Sequence, residues 1–551
     1  MTGAEIVIET LIEQGTKVVF GYPGGTVLNI YDELYKNSDR IKHILSAHEQ
    51  GAAHAGDGYA RTTGEVGVVI ATSGPGATNL VTGIANAYLD SVPMVFITGN
   101  VACSLIGRDS FQEVDITGVT MPIVKHNYMV KDVNNLADTI REAFKIARSG
   151  RPGPVLIDIP KDVQINSCEY TPAEVQKGNK TCRFTKDQLS LAAEMIARSK
   201  KPYIYCGGGV INSGADKELN ELSKMLDCPI GTSMMGLSAV PNSSPYFLGM
   251  VGMHGVYTAT YAKTKADLVI AVGVRFSDRA TGDKNVYLKN ADIIHIDTDA
   301  AELDKNITST LGICGDAKTV LSELIPLLSE KKNPEWWEEI QEIKAYEKAN
   351  KAPQDEGFTP YNIIDEINKR TTPDMPIATD VGQHQMWVAQ RYRFEKTRTF
   401  VTSGGLGTMG YGMGAAIGSA VGTKKKTILF TGDGSFGMNL NEMATAVSQK
   451  LPLIVVVMNN GVLGMVRQWQ TMFYGQRYAQ TTLERKTDFV ALAKAFGADG
   501  YRATDMQSLK DALDKAFECD TPVLIDCIID CDERVLPMIP AGKSVSDIVI
   551  K

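Results

Sequence analysis

Short apolar, β-branched runs separated by helix-length stretches recur along nearly the whole chain, and this alternation admits few architectures: parallel sheets with helices packed on their faces. The first block predicts strands at Lys17 to Phe20, Val68 to Ala71, Met94 to Thr98 and Val155 to Ile159, with helices near Ala4 to Gln14, Ala77 to Leu89 and Leu136 to Ser149. A second block carries strands at Tyr203 to Cys206, Leu268 to Val272 and Ile293 to Asp297. The third opens at Thr359, with strands at Ile377 to Thr379, Thr427 to Phe430, Leu453 to Met458 and Val523 to Cys527. Between blocks, residues 164–186 are polar with weak periodicity, and the charged, helix-like stretch Lys331 to Lys351 reads as a second linker. Prolines beyond Asp530 exclude a long regular element from the tail. A chain of 551 residues has room for three or four domains, so three α/β domains and two linkers are the simplest account.

Composition removes several function classes. With 56 Lys+Arg against 64 Asp+Glu the formal net charge is −8, so no broad basic face is expected and nucleic acid is an unpromising partner. No apolar run approaches the length of a membrane span. The opening MTGAEIVIETLIEQG has neither a basic n-region nor a transit-peptide composition, so the expected location is the cytoplasm unless a leader is missing. Nine cysteines without a CxxC pair read as reduced core thiols, and Cys527 and Cys531 have no histidine nearby to suggest zinc.

The densest chemistry lies between Thr427 and Met465, which reads strand, Gly-Asp-Gly turn, helix, strand, Asn-Asn turn. If the two strands are parallel neighbours, Asp433 and Asn460 emerge together at the carboxyl edge of one sheet, where open α/β sheets bind ligands. Two hard oxygen donors are too few for a calcium cage but suit Mg²⁺ that takes its remaining ligands from water and phosphate. Gly432, Gly434 and Gly437 let backbone N–H groups approach those phosphates at a helix N-terminus. A lone GDG or NN is a common turn; their joint occurrence on one strand–helix–strand unit resembles the thiamine diphosphate signature, in which the acidic residue, the second asparagine and a carbonyl two residues later bind Mg²⁺. Here these are Asp433, Asn460 and Val462.

That signature is completed by a glutamate on another domain, hydrogen-bonded to the cofactor's aminopyrimidine ring. In HEQGAAHAGDGYAR, Glu49 stands where a strand hands over to a Gly/Ala-rich helix. A carboxyl group there relays the proton that must leave the thiazolium ring. The alternatives are a capping glutamate or, with His48 and His54, a metal helix; the HEx4H spacing does not align two imidazoles as HExxH does.

Over essentially its whole length the chain resembles the catalytic (large) subunits of biosynthetic acetohydroxyacid synthases, also called acetolactate synthases. The resemblance is carried by YPGG (22 to 25), the Glu49 segment, TSGPGATNL (72 to 80), SFQE (110 to 113), SGRPGPVLIDIPKDV (149 to 163), GMHG (252 to 255), GVRFSDRATGD (273 to 283), GLGTMGYG (405 to 412), the GDG…NN unit and MVRQWQTMFYGQRY (465 to 478). It implies a pyrimidine-binding domain at 1–163, a linker at 164–186, an FAD-binding domain at 187–330, a linker at 331–357, a diphosphate- and Mg²⁺-binding domain at 358–531, and a tail at 532–551 over the active site. The implied reaction decarboxylates pyruvate and adds the two-carbon unit to a second pyruvate or to 2-oxobutyrate, the first common step of branched-chain amino acid biosynthesis. The implied assembly is a homodimer or homotetramer, with a possible small regulatory subunit.

By the same resemblance Arg279 holds the acceptor carboxylate and Trp469 flanks its alkyl group. Phe111 and Gln112 reach the active site, Lys161 lies by the substrate channel, and Met409 props the cofactor into a bent shape. Pro75, Asn79, Gln383, His384, Gly407, Ser435, Gly464 and Met465 are further contacts of thiamine diphosphate. Gly207, Gly208, Gly209 and Gly273 follow strands of the middle block and, with Arg151, Met253, His254, Arg275, Asp297 and Asp316, are implied contacts of FAD, which has no net redox role in this family. The chain departs from the usual pattern with RFSDR for RFDDR, GYGMGAA for GYGLPAA, and Ala102 where proline is frequent. A thiamine- and FAD-dependent pyruvate oxidase or another 2-oxoacid decarboxylase is the nearest rival, and a catalytically silent subunit is a third reading.

Overall fold

The computed structural model describes residues 1–176, 178–350 and 356–551. Among these described residues eighteen strands form three six-stranded, all-parallel sheets. The first comprises β1 (Val18–Tyr22), β2 (Lys42–Leu45), β3 (Gly67–Ala71), β4 (Met94–Asn100), β5 (His126–Met129) and β6 (Pro154–Pro160), in the order β2-β1-β3-β4-β6-β5. The second comprises β7 (Pro202–Cys206), β8 (Ile230–Thr232), β9 (Phe247–Met250), β10 (Leu268–Val272), β11 (Asp292–Asp297) and β12 (Leu311–Cys314), in the order β12-β11-β10-β7-β8-β9. The third comprises β13 (Ile377–Thr379), β14 (Phe400–Val401), β15 (Thr427–Gly432), β16 (Leu453–Asn459), β17 (Asp499–Ala503) and β18 (Val523–Ile528), in the order β14-β13-β15-β16-β18-β17.

The first and third sheets therefore share one topology, whereas the second is wound as dinucleotide-binding sheets are, with β7 and β10 meeting at the switch point. Central strands such as VVFGY, GVVIA and LIVVVMN are continuous apolar runs because helices cover both faces. The helix expected over 77–89 is two pieces, Pro75–Asn79 and Val81–Asp90.

Two glycine- and alanine-rich helices join the outer domains. Glu49–Thr63 is capped by His48, whose Nδ1 accepts from the Gln50 amide, and ends at Gly64 in the left-handed region. It packs along Tyr411–Thr423 with almost no side chains between the backbones: a Cβ built on Gly418 would lie 1.8 Å from the Ala55 carbonyl oxygen, and one on Gly58 2.1 Å from that of Ala415. Both helices are buried on nearly every face, which is why neither shows an amphipathic stripe.

The stretch expected as a linker at 331–357 is largely otherwise. Pro334–Asn350 is a helix that lays Trp336, Ile340 and Ile343 into the core of the central domain, with the Trp336 indole N–H donating to the Pro202 carbonyl. Residues 351–355 of that stretch, and residue 177 of the 164–186 linker, lie outside the described residues. The tail runs back over the central domain: the Ile539 amide donates to the Met253 carbonyl, the Asp283 amide to that of Lys543, and Met538 pairs with Val549. No helix among the described residues is long and apolar enough to cross a membrane.

Candidate active site

β15 and β16 are parallel neighbours, with Gly432 opposite Met458, so Asp433 and Asn460 leave the same sheet edge side by side. Asp433 is the first residue of the helix Asp433–Asn439. Burial pushes its carboxyl up to about 6, while the backbone N–H groups of Gly434, Gly461 and Asn460 oppose that rise. Asn460 donates to Gln383 Oε1 at 3.4 Å and its own Oδ1 accepts from the Val462 amide at 3.2 Å. A side chain at Gly464 would displace Gln383, since a Cβ there would fall 1.9 Å from Gln383 Oε1. Gln383 is fixed in turn by donating to Gln468 Oε1 and to the Glu533 carbonyl, which ties the start of the tail to this edge.

His384 is packed against Gly432, whose built Cβ lies 3.1 Å from its Nδ1. Its Nε2 is buried with no hydrogen-bond partner, and burial drives the imidazole down to about 3, so it stays neutral. Ser435 Oγ donates to the Val381 carbonyl, and Met409 Cε lies 4.0 Å from a Cβ built on Gly434. An orphaned imidazole nitrogen, a buried carboxylate, an amide oxygen and glycine backbones fit a diphosphate with Mg²⁺.

The first domain presents a second group. Glu49 begins its helix with Oε2 accepting from Asn79 Nδ2 at 2.9 Å, and Oε1 lies 3.2 Å from a Cβ built on Gly76. Pro75 opens the short helix that carries Asn79. Gln112, at φ 59°, presses its backbone against Gly74, and Phe111 beside it is 86 % exposed. Lys161 is exposed at the head of the helix Lys161–Ile165. Among the described residues no hydrogen bond or ion pair joins Glu49, Asn79 or Gln112 to Asp433, Asn460 or Gln383 of the same chain.

Sequence reasoning missed Glu442. It is 1 % exposed and its carboxylate accepts from the Ala47 and His48 amides at 3.2 and 3.0 Å, immediately before Glu49, and from Thr445 Oγ1. Gly51 leaves room for it, since a Cβ there would collide with its carboxylate. Glu442 stands nine residues after Asp433 in the segment already singled out, but its partners are almost four hundred residues away in sequence.

A third group lines a cleft of about 1620 Å³ where the central and third domains meet the first at Asp90, Ser91 and Arg151. At the β7–β10 switch point Gly207 and Gly209 press onto Gly273, with built Cβ atoms 2.1 and 2.6 Å from its backbone, and Gly208 faces Met235. Arg275, Met253, His254, Arg279, Asp297 and Asp316 line the same cleft, as do Gly407, Met465 and Trp469 from the third domain. The Arg275 guanidinium makes no hydrogen bond among the described residues, and burial and then Arg151 lower its pKa. His254 is held neutral by burial, down to about 4, and its Nδ1 has no partner. Asp297 is raised by burial to about 6.

Two of the expected contacts are already engaged. Arg151 pairs with Glu302 at 2.9 Å and donates to Ser91 Oγ, and Asp316 caps the helix Ala317–Leu324 while pairing with Lys180. Arg279 is exposed and reaches Met253 Sδ at 3.5 Å; Trp469 meets Phe473 edge to face. A half-buried guanidinium without a hydrogen-bond partner among the described residues and an orphaned imidazole in a glycine-floored crevice fit an anionic dinucleotide.

Three models of thiamine pyrophosphate enzymes match the chain: the N-terminal TPP-binding domain over residues 1–119, the central domain over 189–324 and the C-terminal TPP-binding domain over 380–527. The chain is 43% identical to acetolactate synthase isozyme 3 large subunit of Escherichia coli (strain K12), over 98% of this chain and 96% of that protein. It is 45% identical to a probable acetolactate synthase large subunit of Methanocaldococcus jannaschii, over 100% of this chain and 95% of the relative. Likewise it is 45% identical to the acetolactate synthase large subunit of Corynebacterium glutamicum, over 100% and 90%. Sheets, site chemistry and full-length likeness agree, and the chain belongs to the acetolactate synthase large-subunit family of thiamine pyrophosphate enzymes.

Proposed function

We propose that the protein decarboxylates pyruvate and joins the remaining two-carbon unit to a second pyruvate or to 2-oxobutyrate, as an acetolactate synthase of branched-chain amino acid biosynthesis. The observation that carries this is the delivery of Asp433 and Asn460 to one sheet edge beside the orphaned His384 nitrogen. Thiamine diphosphate, when bound, supplies a nucleophilic carbon able to stabilise the charge left by decarboxylation.

The chain's own residues do the rest. Asp433 and Asn460, with the Val462 carbonyl, would hold Mg²⁺, and the backbones of Gly432, Gly434 and Gly464 leave space for phosphate oxygens. Glu49, oriented by Asn79, holds or moves a proton at its Oε atoms. Arg279 offers its guanidinium to the acceptor carboxylate across the cleft from Trp469. FAD fits the cleft through Arg275, His254 and the switch-point glycines.

Because no hydrogen bond or ion pair among the described residues joins the Glu49 group to the Asp433 group, and Phe111, Met438 and Tyr474 leave large apolar side chains exposed, each site is read as built by two copies in a homodimer or homotetramer. Relatives from Escherichia coli and Corynebacterium glutamicum are named as large subunits, which supports a smaller regulatory partner, and a cytoplasmic setting suits such an enzyme. The test is acetolactate formation from pyruvate by the purified chain with thiamine diphosphate and Mg²⁺, with and without FAD. Acetolactate that depends on FAD is the expected result; pyruvate consumed without acetolactate would overturn the reading in favour of an oxidase or simple decarboxylase.

A further inference from the structure

The loop 402–410 forms part of the cleft wall at Gly404 to Gly407 and then carries Met409 to the diphosphate edge. Four of its nine residues are glycine, and Gly407 and Gly410 take positive φ, so its own sequence does little to fix its path. It is fixed from outside. Asp90, the last residue of the helix Val81–Asp90 in the first domain, accepts from the Gly404 amide at 3.0 Å and the Gly405 amide at 2.7 Å. A Cβ on Gly405 would lie 2.8 Å from that same carboxylate.

Behind Asp90, Arg61 bridges it to Asp57, and both carboxylate side chains are fully buried. Asp57 accepts in addition from Asn86 Nδ2 and from the hydroxyl of Tyr411, just past the far end of the loop. Asn86 Oδ1 accepts from Ser403 Oγ at 2.6 Å and Thr408 Oγ1 at 3.2 Å, and Ser403 Oγ accepts from the Thr408 amide. Two buried carboxylates, one guanidinium and one amide thus grip both ends of the loop. Burying charge is costly unless every partner is in place, and here the partners are the loop's own backbone and hydroxyl groups.

We propose that Asp90, backed by Arg61 and Asp57 and flanked by Asn86, is a positioning residue for the reaction: it sets the path of loop 402–410 and thereby the place of Met409 against the bound cofactor. This rests on the thiamine-dependent reading given above. Asp90→Asn keeps the shape but removes the charge that faces Arg61 and one acceptor for the paired amides. Ser403→Ala removes a single hydroxyl from the loop and leaves the charged network intact.

Both are made in the full chain and compared with it for acetolactate formation, for pyruvate KM, for thiamine diphosphate affinity by fluorescence titration, and for thermal midpoint. Asp90→Asn is expected to lower kcat per folded chain about tenfold or more and to weaken thiamine diphosphate binding, with pyruvate KM changed less than about twofold; Ser403→Ala moves the same quantities in the same direction by a smaller factor. A lower midpoint with kcat and cofactor affinity intact in the folded variants would reduce the network to a structural brace and overturn the proposal. If Asp90→Asn does not fold, unchanged kcat and cofactor affinity in Ser403→Ala overturn it alone. An unmodified chain that makes no acetolactate defeats the functional reading instead, so the two failures are distinct.

Discussion

Replacing Gly418 by alanine sets two ordinary rules against each other. In an exposed helix the change gains about 1 kcal/mol through propensity. Here the new methyl would sit 1.8 Å from the Ala55 carbonyl oxygen, and Cβ atoms essentially never approach closer than 3.0 Å, so the helices Glu49–Thr63 and Tyr411–Thr423 must part by about 1.2 Å. The obstacle is backbone on a helix that is buried along its length, and it cannot swing aside as a side chain can. Overpacking of this kind costs roughly 1–3 kcal/mol, and at an immovable carbonyl the upper end applies, for a net loss of about 2 kcal/mol. At roughly 2–4 °C per kcal/mol for domains of this size, the apparent melting midpoint should fall by about 4–8 °C. Gly422→Ala, one turn further on, is the comparison, since the atoms nearest a Cβ there belong to the side chains of Thr63 and Tyr59 and not to backbone. Differential scanning fluorimetry on both variants decides the matter, with acetolactate formation as the second readout because Glu49 rides on the displaced helix. A Gly418→Ala midpoint equal to or above that of Gly422→Ala would refute the close-packing argument.

Other consequences can be checked directly. Glu49→Gln should keep the melting midpoint within about a degree while turnover of pyruvate falls roughly 10²- to 10⁴-fold, the usual range for removing a positioned proton carrier; near-normal turnover would remove the relay role. Asn460→Ala should raise the Mg²⁺ concentration for half-maximal activity about tenfold or more in a metal titration, with recovery at high Mg²⁺. Lys263 is fully buried against Tyr205 and Tyr287, and burial pushes its amine down to about 7. Above that pH the native lysine is neutral while the unfolded chain still binds the proton, so stability rises with pH from about 7 towards the unfolded value near 10.5, by at most about 1.4 kcal/mol per pH unit. Denaturant titrations of Lys263→Met should lose that slope between pH 7 and 9, and identical slopes in the two proteins would count against the buried neutral amine.

What could be read before the structure was the interior of each sheet. β3, β4, β10, β15 and β16 lie centrally and are covered on both faces, so their sequences are unbroken apolar runs. The edge strands β5 (HNYM) and β17 (DGYRA) are half exposed and polar, and β14 has only two residues, so hydrophobicity gave no sign of them. The helix Pro334–Asn350 was legible as a helix-like stretch, but its charge concealed that it packs into the central domain, although Trp336, Ile340 and Ile343 fall at i, i+4 and i+7 and mark one apolar face. Asp433 and Asn460 were legible because both turns sit on adjacent strands of one short unit. Glu442, Asp90 and Asp57 were not, since each acts on backbone or hydroxyl groups that only the assembled domains bring near, and a buried carboxylate looks the same in sequence as an exposed one.

The tail also bears on the order in which the molecule comes together. Ile539 and Lys543 pair with Met253 and Asp283, and Ile548 and Ile550 pack on the central domain, so a segment that follows the third sheet straps a stretch that precedes it. Contacts so far apart in sequence require a large loop to close before they return any energy, so residues 253–283 should be among the last to settle in folding and among the first to loosen when the third domain is destabilised. Met253 lines the cleft, and a weakened third domain would therefore register there even though the central sheet itself is untouched.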